Sequence, residues 1–237
     1  MTDEALIDEN GDGIQFNGNV PVSEIKKIDG QPNVFLLETV LSLKRESQIS
    51  PKPGQFYMLR KKISGVYFKR PISVYHSKEY RENGKRHLLL QFLILEKGEG
   101  TRELCHILPG EEISITGPCG TPFEAPSDKN TSVCIVGGGI GIAPVANFAA
   151  SLPEKSYDFF ASFKSGSYGL EHINPKNLIV TTDDGSAGIK GMLPAALTVK
   201  TIREKGYKII YACGPTPMLA YVKKIAEEAD VKCFLSL

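Results

Sequence analysis

The sequence is short of every feature that would direct it to a membrane, to nucleic acid or to a disulfide framework. Its formal net charge is only +1 over 237 residues, so no excess of one sign invites nucleic acid or an acidic surface. Hydrophobic residues make up 41% of the chain, yet no uninterrupted apolar run approaches the ~20 residues needed to span a bilayer. The opening MTDEALIDENGDG is acidic and lacks the basic-then-apolar order of a secretory signal. These absences set the expectation of a cytoplasmic protein. Cysteines stand at 105, 119, 134, 213 and 233. Their odd count and wide spacing argue against paired disulfides, and no C-x-x-C is present to form a local metal knot. Histidines 76, 87, 106 and 172 form no H-E-x-x-H or similar cluster, which leaves a zinc hydrolase unsupported. No metal ligand set is expected, and no acid–base pair is recognisable as catalytic.

What the chain does have is a change of rhythm near its middle. Residues 1–17 read as a flexible polar extension. From Gly18 to about Glu124, the segments VPVSEIKKI, NVFLLETVL, GQFYMLR, RPISVYH, RHLLLQFLIL and EEISITG are rich in β-branched and aromatic residues. Pro, Gly, Asn and charged residues punctuate them, as in an antiparallel β-barrel. TRELCHIL is the one short helix expected here. Beyond the linker Ala125–Asn130 the strands SVCIVGG, SYDFFASFK, NLIVTTD and KIIYACG alternate with the helices APVANFAASL, LPAALTVKTIREKG and TPMLAYVKKIAEEA. Such alternation implies an α/β domain built on a mostly parallel sheet. The expected organisation is therefore an N-terminal antiparallel β-barrel domain over 18–125 and an α/β parallel-sheet nucleotide-binding domain over 131–237.

Candidate sites follow from chemistry. In Val133-Cys134-Ile135-Val136-Gly137-Gly138-Gly139-Ile140-Gly141 a strand runs into four glycines and then a helix start. Backbone N–H groups and the helix dipole at such a turn favour phosphate. The spacing departs from G-x-G-x-x-G, and a tight glycine turn in an α/β core is the alternative reading. Arg70-Pro71-Ile72-Ser73 offers a fixed guanidinium and a hydroxyl suited to a diphosphate. Glu96-Lys97-Gly98-Glu99-Gly100-Thr101 is a second turn of the same kind. Asp183 and Asp184, and Cys213-Gly214-Pro215, lie at expected strand ends, where an open parallel sheet binds its ligands.

In order and interval, RPIS (70–73), EKGEGT (96–101), GPCGTPF (117–123), GGGIGIAP (137–144), TDDGSAGIKG (182–191) and YACGPTPML (211–219) resemble the ferredoxin-NADP reductase superfamily. Within it they are most similar to the electron-transfer subunits of type B dihydroorotate dehydrogenase, over roughly residues 18–237. The resemblance implies a ferredoxin-reductase-like FAD domain followed by an NAD domain. Arg70, Pro71, Ile72 and Ser73 would contact FAD, Leu93, Ile94 and Leu95 would line it, and Gly100 and Thr101 would meet its pyrophosphate. Gly138, Gly139 and Gly141 would face NAD, with Asp183, Asp184, Cys213, Gly214 and Pro215 bordering its nicotinamide or ribose. It further implies electron transfer between NAD(H) and an FMN-containing catalytic partner in a heterotetramer, in pyrimidine biosynthesis.

Two departures qualify the resemblance. The family continues past the equivalent of Lys232–Leu237 into a cysteine-rich tail that ligates a [2Fe-2S] cluster, whereas Cys233 here stands alone; the expectation is a truncated sequence that holds no cluster as given. At the end of SYDFFASF the chain offers Lys164 and Ser165 and no carboxylate to select NAD, so a 2′-phosphate would be tolerated there. The alternatives are a small subunit of an NADH-dependent ferredoxin:NADP oxidoreductase or sulfhydrogenase-like complex, and an assembly subunit that binds FAD without redox chemistry.

Overall fold

The computed structural model describes residues 15–43, 50–128 and 130–236. The expected N-terminal extension therefore lies almost wholly outside the described residues. The chain divides into two compact units, 1–122 and 123–237. The division precedes the expected linker because Phe123 packs on Phe148 and Tyr211, and the Tyr211 hydroxyl donates to the Glu124 carbonyl at 2.6 Å. Residues 123 and 124 thus belong to the second unit.

The first unit is a curled, seven-stranded antiparallel sheet. Its strands are β1 (Phe16–Lys27), β2 (Val34–Leu43), β3 (Phe56–Lys61), β4 (Arg70–Ser73), β5 (His76–Glu82), β6 (Lys85–Leu95) and β7 (Glu112–Cys119), in the order β4-β3-β7-β1-β2-β6-β5. The helix α1 (Glu99–Cys105) lies between β6 and β7. Period-two alternation drives the curl. In β6, Leu88, Leu90, Phe92 and Ile94 point into one core with Leu37, Leu41 and Leu59. RPISVYH reads as one strand in the sequence but is broken at Val74 and Tyr75. Val74 N–H donates to Gln55 O, and Tyr75 N–H to Gln91 O, so the chain changes pairing partner there. β5 itself, with the sequence HSKEYRE, carries too few apolar residues to announce a strand.

The second unit is a six-stranded parallel sheet: β8 (Val133–Gly138), β9 (Tyr157–Phe163), β10 (Asn177–Thr182), β11 (Ile189–Lys190), β12 (Ile209–Cys213) and β13 (Lys232–Ser236), ordered β11-β10-β9-β8-β12-β13. Its helices are α2 (Ile142–Ser151), α3 (Val199–Lys205) and α4 (Thr216–Ala229). Every residue of β8 is buried, as expected of a central parallel strand covered on both faces. The segment read as one helix over 193–206 is instead a short 3-10 turn, Leu193–Ala195, followed by α3. Thr198 causes the break: its hydroxyl accepts from Thr201 N–H at 3.1 Å and so caps the new helix. Strand β11 escapes sequence reading because it is two residues long, and β13 because, at the edge of the sheet, no residue of KCFLS is fully buried. Asp158, only 6% exposed, is satisfied by the Tyr207 hydroxyl at 2.7 Å and Asn177 Nδ2 at 2.8 Å. Burial, together with that bond, holds the Tyr207 hydroxyl protonated far above its usual range.

Candidate nucleotide and flavin sites

In the first unit two segments far apart in sequence come together. Gly100, in the first turn of α1, is buried, and a Cβ placed on it would lie 2.5 Å from Arg70 Nε. The glycine is there to seat the guanidinium of β4 against the helix start. Helix α1 begins at Glu99, two residues before the expected start, and Thr101 explains why. Its hydroxyl accepts from the N–H groups of Lys97 and Gly98 at 2.9 and 3.1 Å and donates to Gly98 O at 2.9 Å. All the bonding capacity of that hydroxyl is thus used in shaping the turn. An early helix turn leaves its first N–H groups without partners inside the helix. Here they stand beside a permanently charged guanidinium, a combination suited to a diphosphate.

The other residues expected at the flavin are placed as follows. Pro71 is exposed and Ser73 half-buried on β4, which pairs only with β3 among the described strands. Ile72 packs against the barrel core. Ile94 is fully buried in that core, while Leu93 and Leu95 project from the opposite face of β6. The loop before Arg70 is tied from behind. Arg60 Nη1 donates to Tyr67 O at 2.9 Å, and Gly65 N–H donates to Glu103 Oε1 at 3.0 Å. Glu103 therefore fixes the approach to β4 and also accepts from Ser64 Oγ.

In the second unit the glycine turn after β8 and the turn after β12 interlock. A Cβ on Gly141 would fall 2.5 Å from Gly214 N and 2.6 Å from the Cys213 carbonyl. A Cβ on Gly138 or Gly214 would strike Met218 of α4. The space these glycines leave is filled by the protein itself. Gly139 differs, with a φ of +53° and nothing within 4 Å of its would-be Cβ. Close approach of a ligand to backbone is thus open at Gly139, whereas Gly138, Gly141 and Gly214 lock two helix-starting turns together. Met218 is a site-building residue that sequence reasoning passes over; its only signal is its place in the first turn after Pro215.

The remaining expected residues lie on the same C-terminal edge of the sheet. Cys213, 8% exposed, ends β12. Burial pushes its thiol up, with the Ser236 hydroxyl and the Gly214 N–H acting weakly the other way. A protonated, buried thiol is no nucleophile. Pro215 caps α4. Asp183 N–H donates to Phe163 O at 3.1 Å, and Asp184 Oδ1 accepts from Ser186 N–H at 2.9 Å and from its hydroxyl at 2.6 Å. Those bonds hold the Asp184 carboxyl below the usual carboxylate range. Among the described residues no group of three or more His, Cys, Asp or Glu is placed to hold a metal. Burial pushes the Cys233 thiol up to about 11. The described residues therefore do not fit an iron–sulfur cluster. Among them, no helix is long and apolar enough to cross a membrane.

Residues 20–123 match the oxidoreductase FAD-binding domain family. The electron transfer subunit of dihydroorotate dehydrogenase B (NAD(+)) from Clostridium acetobutylicum is 34% identical over 207 residues, 86% of this chain and 78% of that one. Its counterpart from Caldanaerobacter subterraneus is 35% identical over 188 residues, 79% of this chain and 70% of that one. Among solved structures, an NADH-dependent reduced ferredoxin-NADP oxidoreductase superposes with a TM-score of 0.69 at 27% identity, covering 92% of this chain and 75% of that one. A ferredoxin reductase of carbazole 1,9a-dioxygenase, at 20% identity and a TM-score of 0.71, shares the fold, over 93% of this chain and 69% of its own. A barrel with a phosphate-suited arginine, a parallel sheet with interlocked glycine turns, and relatives matched along most of their length lead to one assignment: the chain belongs to the family of dihydroorotate dehydrogenase B electron transfer subunits.

Proposed function

We propose that the chain is the flavoprotein component that moves electrons between NAD(H) and a partner dehydrogenase, with FAD on residues 18–125 and the dinucleotide on residues 131–237. What carries this reading is that each unit has its own turn suited to a diphosphate: Arg70 seated over Gly100 in the first, and the open Gly139 beside two locked helix starts in the second. FAD, when bound, supplies a carrier that accepts two electrons from a nicotinamide and releases them singly. The chain's own contribution is binding and orientation. Arg70 and the start of α1 hold one diphosphate; Leu95, half-buried, offers apolar surface on the face of β6 opposite the core, whereas Leu93 is buried by the protein itself; Pro71 and Ser73 frame the flavin edge. Gly138, Gly139 and Gly141 place the second diphosphate at the C-terminal edge of the sheet, and Cys213, Gly214 and Pro215 border the nicotinamide. Hydride transfer asks for no side-chain acid or base, and the protonated Cys213 thiol agrees with that.

The partner is an FMN-containing catalytic subunit that exchanges electrons with dihydroorotate and orotate, within a heterotetramer of the cytoplasm serving pyrimidine synthesis. The test is an anaerobic visible spectrum of the FAD-loaded chain before and after NADH. Bleaching of the flavin band is expected, with no dihydroorotate turnover until the partner is added. A chain that stays colourless after incubation with FAD sinks the proposal, and turnover of dihydroorotate by the chain alone sinks its division of labour.

A further inference from the structure

The sheet unit carries a cavity that electron transfer does not use. An open parallel sheet binds nucleotides at the C-terminal ends of its strands, but this cavity, of about 290 Å³, lies at the N-terminal ends of β8, β9 and β10. Its volume is close to the lower limit of small-molecule sites, ~300 Å³. The most buried part of its lining is polar. Asp158, 6% exposed, and Tyr207, 3% exposed, line it together with Asn177. The Tyr207 hydroxyl donates to Asp158 Oδ2 at 2.7 Å, and Asn177 Nδ2 donates to Oδ1 at 2.8 Å. Each carboxylate oxygen thus holds one of these donors and has lone-pair capacity for another.

Three cations complete the lining. Lys155 follows α2, Lys176 precedes β10 and Lys205 ends α3, so three segments distant in sequence each bring one. Among the described residues none of these three is paired with a carboxylate. Lys200 of α3 and Lys223 and Lys224 of α4, by contrast, are paired with Glu204, Glu227 and Glu228. The backbone that carries two of the cavity lysines is fixed. Lys155 N–H donates to Asn174 O and Lys176 N–H to Tyr157 O, both at 2.8 Å. Lys155 holds a left-handed φ of +58°, a conformation that a lysine adopts at a cost and that the bond to Asn174 sustains.

We infer that this cavity is a binding site for a small phosphomonoester that carries hydroxyl groups, of the sugar-phosphate class. Three lysines against one aspartate leave two positive charges in excess, and a phosphomonoester of about −1.5 to −2 at neutral pH neutralises them. The hydroxyl requirement comes from Asp158, whose carboxylate accepts from an O–H and repels a second anion brought against it. This site is separate from the dinucleotide's and does not rest on where the dinucleotide binds.

The test is calorimetric titration of the FAD-loaded chain with ribose 5-phosphate, with NAD+ in excess to fill the opposite edge of the sheet. Saturable binding is expected, with inorganic phosphate at least about tenfold weaker and ribose alone silent. Lys155→Ala, Lys176→Ala and Lys205→Ala combined should raise the dissociation constant at least about thirtyfold, while flavin reduction by NADH stays within about twofold. Lys200→Ala, Lys223→Ala and Lys224→Ala combined remove the same charge elsewhere on the unit and should move it less than about threefold. Absence of heat with ribose 5-phosphate overturns the inference, as does binding that survives loss of the cavity lysines or that the second triple variant weakens equally. Inorganic phosphate that binds as tightly as ribose 5-phosphate removes the role of Asp158 and, with it, the assigned ligand class.

Discussion

The two units use glycine for opposite ends. In the barrel, the missing Cβ of Gly100 makes room for a charged side chain, Arg70. In the sheet, the missing Cβ atoms of Gly138, Gly141 and Gly214 make room for the protein's own backbone and for Met218. In the first case the gap admits a guanidinium, while in the second it lets two turns of the sheet close on each other. The phosphate-binding reading of a glycine-rich turn therefore separates into two physical roles that the letters alone do not distinguish, and Gly139 is the position in the second turn that keeps open space.

Mutation breaks this comparison most sharply at Gly141. Its would-be Cβ meets the backbone of Cys213 and Gly214 at 2.5–2.6 Å, and backbone yields little. Gly141→Ala should cost the sheet unit about 3 kcal/mol, the upper end of overpacking penalties, and cut NADH-driven flavin reduction by more than a hundredfold. Thermal unfolding together with the reduction rate checks it, and a variant that melts and reacts like the unaltered protein would refute the interlock. Gly100→Ala should behave differently, because the Arg70 side chain can swing aside. The expected outcome is an FAD dissociation constant raised ten- to a hundredfold, in line with losing charge-assisted bonds worth about 1.5–3 kcal/mol, with melting shifted far less than in Gly141→Ala. Arg70→Ala should match it in FAD affinity. If Gly100→Ala weakens FAD but Arg70→Ala does not, the glycine is not there for the arginine.

Much of this is legible in the sequence, for reasons that differ between the units. The parallel strands of the sheet are buried on both faces, so VCIVGG and DFFASF stand out as apolar runs, and α4 is legible to the residue because its proline-capped start and amphipathic length are unambiguous. In the barrel β5 escapes notice, since an edge strand of HSKEYRE has little to bury. Among site residues, the meeting of Arg70 with Gly100 is a long-range consequence of barrel curl that no local pattern encodes. Thr101 and Asp184 both stand out for their chemistry, but only their partners show that each is tied into its own turn, the Thr101 hydroxyl by Lys97 and Gly98, and the Asp184 carboxylate by Ser186.

Smaller effects sharpen the contrast away from the sites. Tyr207→Phe removes one of the two neutral donors from buried Asp158, and bonds to charged groups of this kind contribute about 1.5–3 kcal/mol. The sheet unit should lose roughly that stability in a denaturant titration, while FAD affinity, a property of the barrel, stays unchanged; a loss of FAD along with stability would show that the two units do not report separately.

The smallest expected effect belongs to the barrel's exposed hairpin. Glu79 on β5 pairs with Arg86 on β6 at 2.7 Å and accepts from Ser50 Oγ at 2.6 Å, which takes its carboxyl down from 4.5 to about 2. A carboxyl depressed in the folded state adds stability above its unfolded pKa, and that contribution is lost as the pH falls through the folded value. The window is therefore pH 4.5 down to about 2. The Glu79 side chain is 37% exposed, so solvent screening holds the contribution to well under ~1 kcal/mol. Comparing Glu79→Gln with the unaltered chain, the stability difference at pH 6 should be a few tenths of a kcal/mol and should shrink towards zero by pH 2. A difference that instead grew on acidification would mean that the carboxyl is not the group whose protonation weakens the hairpin.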